Sequence, residues 1–279
     1  MKYKLIISDF DGTLNYDHFN YTCSQRTDEA IQEFILRGGF FCLSTGRAWQ
    51  SIRPCLVNYG LDKISTLVAC DNGSTIHDSK TGEILYEQTV NKPVLLDLLQ
   101  YLYELGLDTH LVSGDNVYVD KALQYMKDFA NRVEIVLQEM GDLRLFAQQC
   151  DFDFHKCAAV WSKQQELDVG KLFASRYPEL DFTVGRMVSG EFLIEITSIK
   201  AGKGNTAIQM AKMCNVPISN TIAIGDADND VSMIQSVGLG ICVGNAIDKL
   251  KAVAKLTTDA SNNDGVAKVI EKALRDELP

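Results

Sequence analysis

Short apolar runs that stop abruptly in polar or glycine-rich loops mark both ends of the chain. Residues 5–7 run into Ser8-Asp9, residues 40–43 into Ser44-Thr45-Gly46-Arg47, and residues 67–70 into Asp71-Asn72-Gly73. Towards the other end, residues 221–224 run into Gly225-Asp226 and residues 239–243 into Gly244-Asn245. Continuous apolar runs of this length predict strands buried on both faces, as in a parallel sheet. Helical patterns lie between them. Residues 27–37 place Ile31, Phe34 and Ile35 on one face and stop at Gly38-Gly39. Residues 204–213 gather Ala207, Ile208 and Ala211, and residues 247–254 gather Ile247, Leu250 and Ala254. Strand and helix alternate at both ends of the chain, which predicts an α/β core with a doubly wound, Rossmann-like parallel sheet.

The middle has another rhythm. Pro93 opens the helical stretch "PVLLDLLQYLYELG", closed by Gly106. The alternating "NVYVD", the amphipathic "KALQYMKDFANRV", "HKCAAVW", a further helix near 163–176 and the hairpin-like "FTVGRMVSGEFLIEIT" follow. This mixture predicts an inserted α+β domain over residues 84–192. The core is then discontinuous, residues 1–83 with 193–279. An insertion of this size at the strand ends is expected to act as a cap over the site.

Composition narrows the partners. The 279 residues are 46% hydrophobic and 23% charged, with a net charge of -10 and a pI near 4.9. An acidic surface repels a phosphate backbone, so no nucleic-acid partner is expected. No run approaches the roughly 18 apolar residues of a membrane span, and the N-terminal apolar run is too short for a signal peptide. A cytoplasmic protein is expected, with no membrane partner; the oligomeric state is left open. The eight cysteines form no C-x-x-C pair, and His18, His77, His110 and His155 are scattered. Zinc is not indicated, and the cysteines read as small buried residues in a reducing compartment.

In an open α/β sheet, ligands bind beyond the C-terminal ends of the strands. Every polar loop named above lies at such an end, so Asp9, Asp11, Thr45, Asp226 and Asp230 are expected to converge. Two acids in "DFDGTL" and more in "GDADND" suit phosphoryl transfer. An ionised carboxylate attacks without a base, a second acid serves the leaving group, and Mg2+ takes hard oxygen ligands. Gly12 permits a tight turn, and Lys203 or Thr45 can hold phosphoryl oxygens.

"DFDGTL" at 9–14, "STGR" at 44–47, Lys203 in "AGKGNTA" and "GDADND" at 225–230 resemble, in order, the four motifs of haloacid dehalogenase-like phosphatases. "DNG" at 71–73 and "VGNA" at 243–246 resemble marks of the Cof-type branch. The resemblance implies Asp9 as nucleophile through an aspartyl-phosphate, Asp11 as general acid then base, and Thr45 and Lys203 as phosphoryl ligands. It implies Mg2+ held by Asp9, the Asp11 carbonyl and Asp226, with Asp230 orienting Lys203 or a metal-bound water and counted with the metal residues. Gly46, Arg47, Asn72 and Asn229 are the further candidates for phosphate or substrate contact. The implied substrate is a small phosphorylated metabolite, a sugar phosphate or phosphorylated cofactor. A sugar-phosphate phosphomutase and a non-catalytic phosphate-ligand sensor are the alternatives.

Other patterns fall short. "DADND" has Val231 and Val237 where a calcium loop needs glycine and glutamate. "GLGICVG" sets its third glycine one place late for a dinucleotide fingerprint, and "AGKGN" lacks the hydroxyl residue of a P-loop. No G-x-S-x-G is present. Thr45 taken alone reads as a helix N-cap. Asp151 to Asp153 repeats the DFD tripeptide without a following glycine turn and reads as scaffold. Tyr101, Tyr103 and Trp161 read as core of the inserted domain.

Overall fold

The computed structural model describes residues 1–16, 24–132, 135–161, 168, 170–186 and 190–279. His18, Cys23 and most of the first half of the helix expected near 163–176 lie outside them. The described chain divides into two compact units, Met1–Tyr86 with Gly202–Pro279, and Glu87–Ala201.

The first unit is built on an eight-stranded sheet. Its strands are β1 (Leu5–Ser8), β2 (Phe40–Ser44), β3 (Leu67–Cys70), β4 (Thr75–Asp78) and β5 (Ile84–Glu87) from the first part of the chain. The second unit contributes the next six in sequence: β6 (Asp108–Ser113), β7 (Asn116–Val119), β8 (Leu137–Glu139), β9 (Lys156–Trp161), β10 (Leu180–Arg186) and β11 (Phe192–Ser198). The chain then returns to the first sheet with β12 (Thr221–Gly225), β13 (Leu239–Cys242) and β14 (Leu256–Thr257). The order in the first sheet is β14-β13-β12-β1-β2-β3-β4-β5. β1 pairs in parallel with both β2 and β12, which explains why all four of its residues are buried and its sequence does not alternate. From β1 the chain continues to one side through β2 and β3, and returns on the other through β12 and β13. That reversal is where an α/β sheet opens its crevice.

Helices α1 (Gln25–Leu36) and α2 (Trp49–Leu56) follow β1 and β2. The side chain of Ser24 caps α1 by accepting from the Thr27 N–H at 3.1 Å. α1 buries Ala30, Ile31 and Phe34 in the same apolar cluster as the central strands. The expected helix over 247–254 shrinks to Asp248–Lys251. Beyond it, the Lys255 N–H donates to Gly240 O and draws the chain into the sheet edge. A ten-residue helix at Gly265–Leu274, not foreseen from the pattern, closes the core.

The second unit has its own sheet, ordered β10-β11-β9-β6-β7-β8 and antiparallel except between β7 and β8. The helices Lys92–Glu104 and Leu143–Gln149 share an apolar cluster with one face of that sheet. Residues 193–201, grouped with the core in the sequence reading, belong to this unit, and residues 84–86, grouped there with the insertion, belong to the first. β11 lies between β10 and β9, with Ile194 opposite Val184 and Ala159. Trp161 is buried here against Phe192, and the Tyr103 hydroxyl donates to Asp120 at 2.6 Å. The second DFD contributes Phe152 to an aromatic group with Tyr118, Phe146 and Phe154. The seven described cysteines are free thiols, five of them buried. No helix among the described residues is long and apolar enough to cross a membrane.

Burial sets the sensitivity of α1. Phe34 is fully buried, whereas Leu36 is 81% exposed. Phe34→Ala is expected to cost about 3–5 kcal/mol in urea unfolding, and Leu36→Ala less than about 0.5 kcal/mol. Equal midpoints for the two variants would contradict this packing.

Candidate active site

Asp9 follows β1, Thr45 follows β2, Asp71 follows β3 and Asp226 follows β12, so the strand order brings their loops side by side. At the centre stands Lys203, the first residue of the helix Lys203–Met213, fully buried. Its ammonium donates to Asp9 Oδ1 at 2.5 Å and to Asp230 Oδ1 at 2.7 Å. Asp230 accepts with its other oxygen from the N–H groups of Asp226 and Ala227, at 2.9 and 3.0 Å. Asp226 accepts from the Thr13 hydroxyl at 2.9 Å. Gly12, at φ 80°, makes this approach possible, because a Cβ there would collide with Asp226 Oδ2.

The charges are strongly perturbed. Burial pushes the Asp9 carboxyl well above the usual carboxylate range; Lys203 opposes the shift, and Asp230 and Asp226 add to it. Asp226 is raised as well, again chiefly by burial. Burial works against the Lys203 charge, yet Asp230 and Asp9 outweigh it and hold the ammonium above its ordinary range. A lysine with three donors is thus satisfied by two carboxylates in a dry setting.

One oxygen from each of Asp9, Asp226 and Asp230 lies within 4.8 Å of the others. Two crowded, desolvated carboxylates with raised proton affinity form a donor set suited to a hard divalent cation. Both Asp230 oxygens also accept hydrogen bonds, which ties this third carboxylate of the cluster to Lys203 and to the Asp226 loop. The Asp11 carboxylate lies outside this cluster. It accepts from Arg47 Nε and the terminal guanidinium nitrogen, both at 2.6 Å, in a fork. Arg47, expected from sequence at the phosphate, is in this structure bound to Asp11.

Thr45 is not the N-cap of α2, which begins at Trp49 after Ala48. Its hydroxyl accepts instead from the Arg47 N–H at 3.1 Å. Gly46 lies against Asn72, with 3.1 Å between the position of a Cβ on Gly46 and Asn72 Oδ1. Asn72 Oδ1 accepts from Asn229 Nδ2 at 2.9 Å. The sequence reading missed Thr13, although it directly follows Gly12. It also gave no part to Asn245, whose amide donates to Gly12 O at 2.8 Å and ties "VGNA" to the Asp9 loop.

Comparison with known proteins identifies the family. The family model described as haloacid dehalogenase-like hydrolase matches residues 6–270. The chain belongs to the haloacid dehalogenase-like hydrolases. It is 27% identical to Phosphatase YwpJ of Bacillus subtilis (strain 168), over 97% of this chain and 100% of that protein. It is 28% identical to the 5-amino-6-(5-phospho-D-ribitylamino)uracil phosphatase YitU of the same organism, over 96% of each. A solved haloacid dehalogenase-like hydrolase from B. subtilis superposes with a TM-score of 0.76 at 26% identity, covering 96% of this chain and 99% of the other. The fold is also that of the subclass IIB sugar phosphatase BT4131, with a TM-score of 0.77 at 18% identity, over 97% of this chain and 98% of that one. The Cof-type resemblance of the sequence accords with these likenesses.

The crowded carboxylates make a prediction for thermal unfolding. Mg2+ at a hundred times its Kd is expected to stabilise the chain by about 2.7 kcal/mol, and Asp226→Asn to remove most of that gain. An unchanged midpoint with excess Mg2+ would exclude a cation between Asp9 and Asp226.

Proposed function

We propose that this haloacid dehalogenase-like phosphatase hydrolyses small phosphorylated metabolites, sugar phosphates or phosphorylated cofactor precursors, through an aspartyl-phosphate on Asp9. The observation that carries the reading is the buried Lys203 bridge from Asp9 to Asp230, with Asp226 beside it. Lys203 holds one oxygen of Asp9 and leaves the other to attack phosphorus. The P–O bond to the leaving group breaks as the Asp9–phosphorus bond forms, and Asp11 supplies the proton to the departing oxygen. Asp11 then takes a proton from water. The water oxygen attacks phosphorus, and inorganic phosphate and free Asp9 result.

Asp11 can give a proton only once the Arg47 fork opens. The two nitrogens of that fork can then turn to a substrate or phosphoryl oxygen, a task that suits the planar donor geometry of the guanidinium. Thr45 Oγ and the backbone around Gly46 are the proposed seat of the transferring group. Mg2+, held by Asp9 and Asp226 and in our reading by the Asp11 carbonyl, would supply neutralisation of the phosphoryl oxygens. Asp230 acts behind Lys203 and fixes its position. For the substrate class, three of the curated relatives carry the name 5-amino-6-(5-phospho-D-ribitylamino)uracil phosphatase. Together with the sugar phosphatase fold, they support a phosphorylated polyol or sugar.

A phosphate-release screen with Mg2+ over sugar phosphates, nucleotides and phosphorylated vitamins tests the reading, with Asp9→Asn beside the wild type. The variant is expected to lose turnover by roughly a thousand-fold or more. Equal rates would remove Asp9 as the nucleophile. A requirement for an activating bisphosphate would favour the mutase, and ligand binding without turnover of any ester would favour the sensor.

A further inference from the structure

The turn Asp71–Gly73 has an unusual backbone. Asp71 and Asn72 follow one another at φ 49° and 55°, both buried. Residues with a Cβ seldom adopt this left-handed region; aspartate and asparagine tolerate it best. Gly73 continues at φ 96°, where a Cβ would meet Thr206 Oγ1 and Gly202 O. A backbone of this kind persists only where its surroundings over-determine it.

Those surroundings are the three segments that carry the chemistry. The Asn72 N–H donates to Thr45 O at 3.1 Å and the Asp71 N–H to Arg47 O at 2.9 Å. Thr206, three residues after Lys203 on the same helix, donates its hydroxyl to Gly73 O at 3.0 Å. Asn229 directly precedes Asp230, and its amide donates to Asn72 Oδ1 at 2.9 Å. One short turn is therefore bonded to the Thr45 loop, to the Lys203 helix and to the Asp230 loop. The Asn229–Asn72 bond is its side-chain link across to the third.

We infer that Asn72 and Asn229 are positioning residues: their amide–amide bond, carried on the left-handed Asp71–Asn72 turn, sets the spacing between Thr45 and the Lys203–Asp230 pair. The inference rests on the phosphatase reading and replaces substrate contact as the role of these two asparagines. Asparagine suits position 72 on two counts, because it tolerates the backbone and offers an acceptor of the right reach. Phosphoryl transfer is sensitive to such spacing, since an attacking oxygen and its stabilising groups act only when aligned.

The test is a double-mutant cycle with Asn72→Gly, which keeps the backbone unstrained, and Asn229→Ala, assayed on the best ester from the wild-type screen. Each single variant is expected to lower kcat roughly 10- to 100-fold while KM stays within about two-fold. The double variant is expected to fall no further, because both changes remove one bond. Asn72→Asp keeps an acceptor for Asn229 and is expected to retain most of kcat. A raised KM with kcat preserved would make the asparagines substrate contacts and overturn the inference, as would losses that multiply in the double variant. A readout independent of turnover is the backbone amide spectrum of the whole chain. Asn229→Ala is expected to shift the Asn72 and Thr45 signals, and their constancy would overturn the brace. A wild type that turns over no ester would defeat the phosphatase reading alone, and the spectrum would still decide the brace.

Discussion

A buried ammonium cannot stay charged alone, and Lys203 meets that constraint with two carboxylates from the ends of neighbouring strands. Asp9 comes from the end of β1, and Asp230 from the turn after β12. Removing one partner from such a pair strands the other charge in a dry setting, which typically costs about 3–5 kcal/mol. The bridge therefore fixes more than a side chain. Asp230 also gathers the N–H groups of Asp226 and Ala227, so the loop that presents Asp226 is shaped by the same carboxylate that holds the lysine. Position and charge are set together.

The sheet supplies the convergence that this bridge needs. β1 lies between β2 and β12, so loops that are about two hundred residues apart in sequence become neighbours at one sheet edge. Many of the hydrogen bonds around the site do one of two things. They place a carboxylate, as Thr13 does for Asp226 and Arg47 for Asp11. Or they tie one loop to the next, as Asn245 does for Gly12 and Thr206 for Gly73. Crowded carboxylates repel each other, and the cost of holding them is spread over these many bonds.

Much of this was legible in the sequence because buried parallel strands cannot alternate. The runs at 5–7, 40–43 and 221–224 announced both the sheet and, by their ends, the site. The order of Asp9, Thr45, Lys203 and Asp226 carried the family. What stayed hidden depended on distance in space. Nothing local shows that Arg47 reaches Asp11, or that Asn229 reaches Asn72, since each partner lies in another loop. The extent of the inserted unit was missed because β11 reads like any other strand; its place between β9 and β10 is a tertiary fact. The shortened helix at Asp248–Lys251 shows the same override, with apolar spacing intact and the chain turned aside by a backbone bond to Gly240.

The central place of β1 has a consequence for how the chain is made. Its β12 neighbour is specified only after the whole 87–201 unit has been translated. At roughly 5–20 residues per second, an early strand with one unsatisfied edge and a mostly apolar sequence waits about 10–40 seconds for its partner. During that interval its N–H and C=O groups are open to any other extended segment, including the same strand of a neighbouring nascent chain. Four residues is a short template for such mispairing, and the brevity of β1 limits the hazard that its topology creates.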